Sequence, residues 1–139
     1  MASIAEIENE IIEDFELFDD WEGKYDYLIG LGKDLPLIDI KYKTEEYIVR
    51  GCQSRVWLHA GNEKDKVFYT ADSDAIITKG LVALMIKVLN GQKAEDIAKA
   101  ELGFINKIGL KEHLSPTRSN GLSSMIRQMK LYALAFNKN

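Results

Sequence analysis

The chain has 139 residues, 46% of them hydrophobic, and its 18 basic and 22 acidic residues give a net charge of −4. That length suits a single domain over 1–139, able to bury roughly 65–70% of the surface its unfolded form exposes. The acidic balance argues against nucleic acid or an anionic membrane as partner. One cysteine excludes an internal disulfide, and no leader or long apolar run is evident, so a reduced, cytoplasmic setting is expected.

Ile4, Ile7, Ile11, Phe15 and Phe18 recur every three or four residues and predict an amphipathic helix over 4–18. Ser3 and Glu6 have capping-box spacing at its start. A second helix is predicted over 21–33, with Asp20 as cap and Gly32 as terminator. Residues 34–46 (DLPLIDIKYKTEE) contain Pro36 and lack a helical period, so they read as a loop packed by Leu35 and Leu37. YIVRG (47–51) reads as a short strand. SRVWLHA (54–60) and KVFYTA (66–71) read as two more, joined by GNEKD into an antiparallel hairpin. Residues 75–90 are apolar nearly all round and predict a central buried helix, with Asp74 at the N-cap and Gly91 at the C-cap. A shorter helix over 93–101 and a helical or turn-rich connection over 102–113 follow. Ser115-Pro116 then opens a last helix whose stripe is Leu122, Met125, Ile126, Met129, Ala133 and Phe136. Residues 137–139 are expected to fray. Strands and helices are segregated, so the fold class is α+β, with a small three-stranded antiparallel sheet packed against several helices.

Little in the chain suits metal or phosphate chemistry. A zinc or iron–sulfur site takes three or four Cys, His or carboxylate ligands, and here Cys52, His59 and His113 lie far apart with no CxxC, HxxxH or HExxH. There is no GxGxxG and no GxxxxGK[ST]. The acidic residues fall mainly on predicted helix surfaces, where a solvated face explains them. His59 could pair with Cys52 as base and nucleophile, but an ordinary strand histidine explains it better.

Cys52 has the more telling setting. Gly51 permits positive φ, and a strand starts just after, so the thiol can sit at the tip of a loop mounted on rigid strands. The competing reading is a small buried hydrophobe, the commonest fate of a lone cysteine. Arg118 falls in the first turn of the last helix, against the helix dipole. That misfit suits either a specific job, anchoring a carboxylate or the Cys52 loop, or a structural ion pair. Gly121 falls inside the same helix, where it costs ~1 kcal/mol against Ala, so close approach by another segment such as the Cys52 loop is expected.

Four ordered segments give the chain a family resemblance. WEGKYDYLIGLGKDLP (21–36), GCQSRVWL (51–58), DSDAIITKGL (72–81) and HLSPTRSNGL (113–122) resemble, in order and spacing, the motifs of the SufE-type sulfur acceptors of iron–sulfur cluster assembly. The second matches that family's Gly-Cys-Gln-Ser-x-Val-Trp signature. The resemblance implies a fold also shared with the U-type (IscU-like) cluster scaffolds. It implies that a pyridoxal-phosphate cysteine desulfurase (SufS-like) passes sulfur as a persulfide to Cys52, which hands it to a scaffold complex (SufBCD-like). The chain would then be a carrier and not a stand-alone enzyme. It would hold no metal or cofactor, the pyridoxal phosphate belonging to the desulfurase. Gly51, Gln53, Ser54, Asp74 and Arg118 would support the Cys52 loop or touch the partner, while Lys79 and Gly80 serve packing or a surface contact. Persulfide transfer is thiol–disulfide-like exchange, for which one thiol suffices. Two alternatives stay open: a non-carrier module that binds the desulfurase and alters it allosterically, and a thiol redox sensor.

Overall fold

The computed structural model describes residues 2–137. Seven helices and one antiparallel hairpin occur in the order α1 (Ile4–Glu16), α2 (Trp21–Lys33), β1 (Val56–Glu63), β2 (Lys66–Ser73), α3 (Ile76–Leu89), α4 (Ala94–Lys99), α5 (Phe104–Lys107), α6 (Leu110–His113) and α7 (Pro116–Phe136). Two single 3-10 turns, Ile40–Tyr42 and Glu45–Tyr47, lie between α2 and β1. The fold is α+β, as its segregated patterns predict.

The helix starts follow local chemistry. The Ser3 hydroxyl accepts from the Glu6 N–H at 3.1 Å, and the Glu6 carboxylate accepts from the Ser3 N–H at 3.1 Å, completing the capping box. Asp20 caps α2 by accepting from the Gly23 N–H at 2.9 Å. Ser115 caps α7 ahead of Pro116. α1 stops two residues earlier than its apolar period, because the Leu17 N–H turns back to the Asp14 carbonyl.

α3 is the buried centre, with Leu81, Val82, Leu84, Met85, Val88 and Leu89 almost inaccessible. It is not apolar-buried all round, since Ile76 in its first turn is 68% exposed. α2 crosses it at unusually short range. Gly32 does not terminate α2; it is buried within the helix, and a Cβ there would lie 3.0 Å from the Gly80 backbone nitrogen. Gly91 does follow the end of α3, in left-handed backbone with φ +76°.

Among the described residues the sheet has two strands, and the expected third is not formed. β1 and β2 pair from Val56↔Ser73 to Glu63↔Lys66 around a two-residue turn at Lys64 and Asp65, so the strands run into what the sequence reads as a five-residue connection. The expected strand over 47–51 is reduced to one bridge, Ile48↔Trp57, with the Val49 N–H donating to the Val56 carbonyl at 2.8 Å. Gly51 then turns the chain away before a second rung can form. Within the preceding loop Ile38 is the buried anchor, while Leu37, read as a packing residue, is 91% exposed.

On the inner sheet face Val56, Leu58 and Ala60 are buried with Val67, Tyr69 and Ala71. The outer face is covered by the loop between α2 and β1. The Tyr42 ring lies parallel to His59 at 3.6 Å between centroids, and Tyr47 meets Tyr42 edge-on at 5.1 Å. The Lys43 ammonium sits over the Trp57 ring at 4.8 Å. α7 closes the structure with Leu122, Met125, Met129 and Ala133 buried. Of the tail expected to fray, the Asn137 N–H still donates to the Ala133 carbonyl at 2.9 Å, and residues 138 and 139 lie outside the described residues.

Candidate functional site

The chain leaves Val49 in the core, turns at Gly51, and returns to the core at Val56. Gly51 has φ +94°, a region closed to most L-residues. A side chain there would also collide with Ser124 on α7, whose hydroxyl stands well inside contact distance and whose Cβ would be 3.2 Å away. The turn lays Cys52 half-buried on α7, with its thiol donating to the Gly121 carbonyl at 3.5 Å. A methyl at Gly121 would sit 3.5 Å from the Cys52 sulfur, so alanine would just touch it and anything larger would displace the loop. The approach expected from a helical glycine is therefore the Cys52 loop itself.

The far foot of the loop is held by Asp74. Its carboxylate accepts from the Arg55 N–H at 3.0 Å, and its N–H donates to the Arg55 carbonyl at 3.2 Å. Asp74 is thus not the cap of α3 that its position suggests. Ala75 occupies that position without a side-chain bond, and the Ser73 hydroxyl accepts from the Ala75 N–H at 3.3 Å. The aspartate lies one residue too early to cap and bonds across to the loop.

Beside the thiol is a cavity of about 310 Å³. Cys52, Gln53 and Ser54 line it from the loop, Ala75, Thr78 and Leu81 from the start of α3 and the residue before it, and Ser115, Thr117, Arg118, Leu122 and Met125 from α7 and its cap. Gln53, Ser54 and Arg118 therefore line the same cavity as Cys52. Gly51 and Asp74 do not line the cavity; they hold the loop that does. Arg118 is exposed and makes no ion pair among the described residues, so the structural-pair reading of it falls.

Burial pushes the Cys52 thiol above its ordinary pKa, keeping it protonated at rest. His59 does not serve as its base. It is stacked on Tyr42 on the outer sheet face, where burial, then Lys41, lower its pKa. His113 stacks on Trp21 at 3.9 Å, and the Tyr25 hydroxyl donates to its carbonyl, tying α2 to the segment entering α7. Lys79 shares Asp72 with Lys43, at 3.2 and 3.1 Å, a surface contact rather than a site. Among the described residues no group of three or more His, Cys, Asp or Glu is placed to hold a metal ion, and no helix is long and apolar enough to cross a membrane.

Sequence reasoning missed Ser124 and Thr78. Ser124 had a signal: it stands three residues after Gly121, on the same helix face. Thr78 had none beyond its place in the third motif.

A family model described as the Fe–S metabolism associated domain SufE matches residues 9–133. The chain belongs to the SufE family. This SufE-family chain is 45% identical over 127 residues to an uncharacterized SufE-like protein of Rhizobium meliloti, covering 88% of this chain and 91% of that one. It is 40% identical over 126 residues to the SufE-like protein 1, chloroplastic/mitochondrial, of Arabidopsis thaliana, covering 90% of this chain but 34% of that longer protein. The solution structure of a hypothetical protein from Thermus thermophilus shares the fold, with a TM-score of 0.80 at 21% identity over 96% of this chain and 97% of that one. The family connects the chain to Fe–S metabolism.

Proposed function

We propose that this SufE-family chain is a sulfur acceptor for a cysteine desulfurase, with Cys52 carrying the sulfur as a persulfide. The observation that carries this reading is the thiol's mounting: half-buried on a glycine-turned loop, beside a cavity that can accommodate added atoms. In the transfer, the Cys52 thiolate attacks the terminal sulfur of the donor's persulfide. A new S–S bond forms on Cys52, the donor's S–S bond breaks, and the donor cysteine leaves as thiolate, with no net oxidation. The second transfer, to a cluster scaffold, repeats the exchange with Cys52 as the leaving thiolate. The carrier supplies one thiol and its shelter and needs no cofactor of its own; the pyridoxal phosphate that generates the sulfur belongs to the desulfurase. We place it in a reducing compartment, the cytoplasm by default, where a lone thiol stays free.

The raised thiol pKa supports a carrier over a redox sensor, because sensor cysteines are low-pKa and open to solvent. It also requires the loop to lift or the partner to supply a positive environment before the thiol can attack. Incubated with a SufS-type desulfurase and L-cysteine, the protein is expected to gain one sulfur atom in its intact mass, and Cys52→Ser to gain none while remaining folded. A wild-type protein that gains no sulfur from any such desulfurase refutes the proposal. A Cys52→Ser variant that still fully stimulates the desulfurase points to allosteric binding instead.

A further inference from the structure

The chain has four arginines: Arg50 and Arg55 flank Cys52 in sequence, and Arg118 and Arg127 lie on α7, the helix on which Cys52 rests, whereas its lysines run from Lys24 to Lys138. Arg50 and Arg55 bracket the Cys52 loop. Arg118 lines the cavity beside the thiol. Arg127 stands three residues beyond Ser124, the residue that meets Gly51, on the same face of α7. All four are exposed. The ion pairs among the described residues are made by lysines alone: Lys41, Lys43, Lys79 and Lys99. Asp74 is held by the Arg55 backbone and Asp72 by two lysines, Glu45 and Glu46 pair with no arginine among the described residues, and α7 contains no acidic residue at all.

Charge is divided along the chain in the same sense. Residues 1–34 carry 11 acidic and 2 basic side chains, a net −9; residues 35–139 carry 11 acidic and 16 basic, a net +5. For solubility alone lysine would serve. Arginine's planar fork binds carboxylates in pairs, sheds water more readily, and is enriched at the energetic centres of protein interfaces. A polyphosphate partner is opposed by the eleven carboxylates of residues 1–34, which repel an extended polyanion.

We propose that the arginine-ringed face around Cys52 docks a carboxylate-rich protein surface surrounding the donor's persulfide, while the acidic α1–α2 half repels that same surface and so orients the approach. The partner's identity as sulfur donor rests on the sulfur-acceptor reading; the acidity of its surface rests on the arginines.

Two arms test this separately. In the first, poly-L-glutamate is titrated into the isotope-labelled protein, with duplex DNA in parallel. Amide shifts confined to the Cys52 loop and the first four turns of α7, with weaker DNA binding, are expected. Shifts at scattered lysines, no shifts, or tighter DNA binding overturn the proposal. In the second, affinity for a SufS-type desulfurase is measured by calorimetry for wild type, Arg50→Glu/Arg127→Glu, and a control reversal, Glu10→Lys/Glu13→Lys. The arginine reversal should weaken binding by about tenfold or more, wild-type affinity should fall with rising salt, and the α1 reversal should tighten binding or leave it unweakened. Desulfurase binding that loads Cys52 yet ignores both salt and the arginine reversal overturns the docking proposal and leaves the carrier reading standing. Absence of loading, with poly-glutamate shifts at the arginines, does the reverse. Circular dichroism of each variant checks that its fold is retained.

Discussion

Two pairs of segments in this chain meet through a glycine, and they are built to opposite ends. α3 approaches α2 at Gly80, and the Cys52 loop approaches α7 at Gly51. An added methyl would fall well inside contact distance in both. At Gly80 it would strike the Leu28 backbone, with the carbonyl carbon 2.7 Å away, inside a helix whose hydrogen bonds forbid a local shift. At Gly51 it would strike the hydroxyl of Ser124, which one χ1 rotation can move aside. The first contact is fixed by main chain on both sides. The second is a loop resting on a side chain, with one thiol–carbonyl hydrogen bond and a two-point clasp at Asp74. A firmly packed helix pair thus stands behind a lightly held thiol, the arrangement a carrier needs if its loop is to lift while the fold stays intact.

The sharpest way to break that contrast is to overpack the rigid contact. Gly80→Ala is expected to lower the unfolding free energy by about 2 kcal/mol, an overpacking cost of about 3 kcal/mol less a helix-propensity gain of ~1 kcal/mol. Urea unfolding measures it, and native-state alkylation of Cys52 by iodoacetamide should be unchanged. A neutral Gly80→Ala would show that α2 and α3 can slide, and the two contacts would not differ in kind.

Gly51→Ala comes next, at about 1–2 kcal/mol, because a Cβ is forced into left-handed backbone. Its larger effect is on reactivity. With the loop pushed off α7, alkylation of Cys52 should quicken several-fold. Its pH midpoint should fall towards the free-thiol value of about 8.5, since burial is what holds the thiol above its ordinary range. Adding Ser124→Ala should remove the hydroxyl clash but leave the tight Cβ contact and the backbone strain, restoring reactivity in part and stability less. Unchanged alkylation in Gly51→Ala would mean that the loop is not what shelters the sulfur.

Much of this contrast could be read from residue order, and the limits have physical causes. Gly51 before Cys52 announces a turn, and a glycine six residues into a long helix announces a close neighbour. Both readings hold because a missing Cβ is informative wherever it occurs. The third strand did not form because a short β-type run over 47–51 marks an extended segment, not whether it finds a second rung. Asp74 misled for a similar reason. An aspartate just before an apolar helix is a cap by pattern, yet the hairpin brought the Arg55 N–H, 19 residues away in sequence, within 3.0 Å. Capping is a local signal; clasping a loop is a tertiary one. Cys52 itself proved to be neither simply buried nor simply displayed, and no single-residue preference encodes a half-buried state.

The mildest perturbation of the loop is therefore at Asp74. Asp74→Ala removes one of the two bonds holding the Arg55 end, and the freed N–H is near enough to solvent to be rehydrated. The expected loss is about 0.5–1 kcal/mol, the low side of a net hydrogen-bond contribution. Alkylation of Cys52 should rise, but less than in Gly51→Ala, because the glycine turn and the thiol–Gly121 bond remain. Asp74→Asn keeps an acceptor oxygen and should restore both stability and the slow alkylation rate, which separates the clasp from any effect of the lost charge. If Asn behaves like Ala, the negative charge matters more than the bond, and Asp74 acts on the thiol electrostatically rather than by holding its loop.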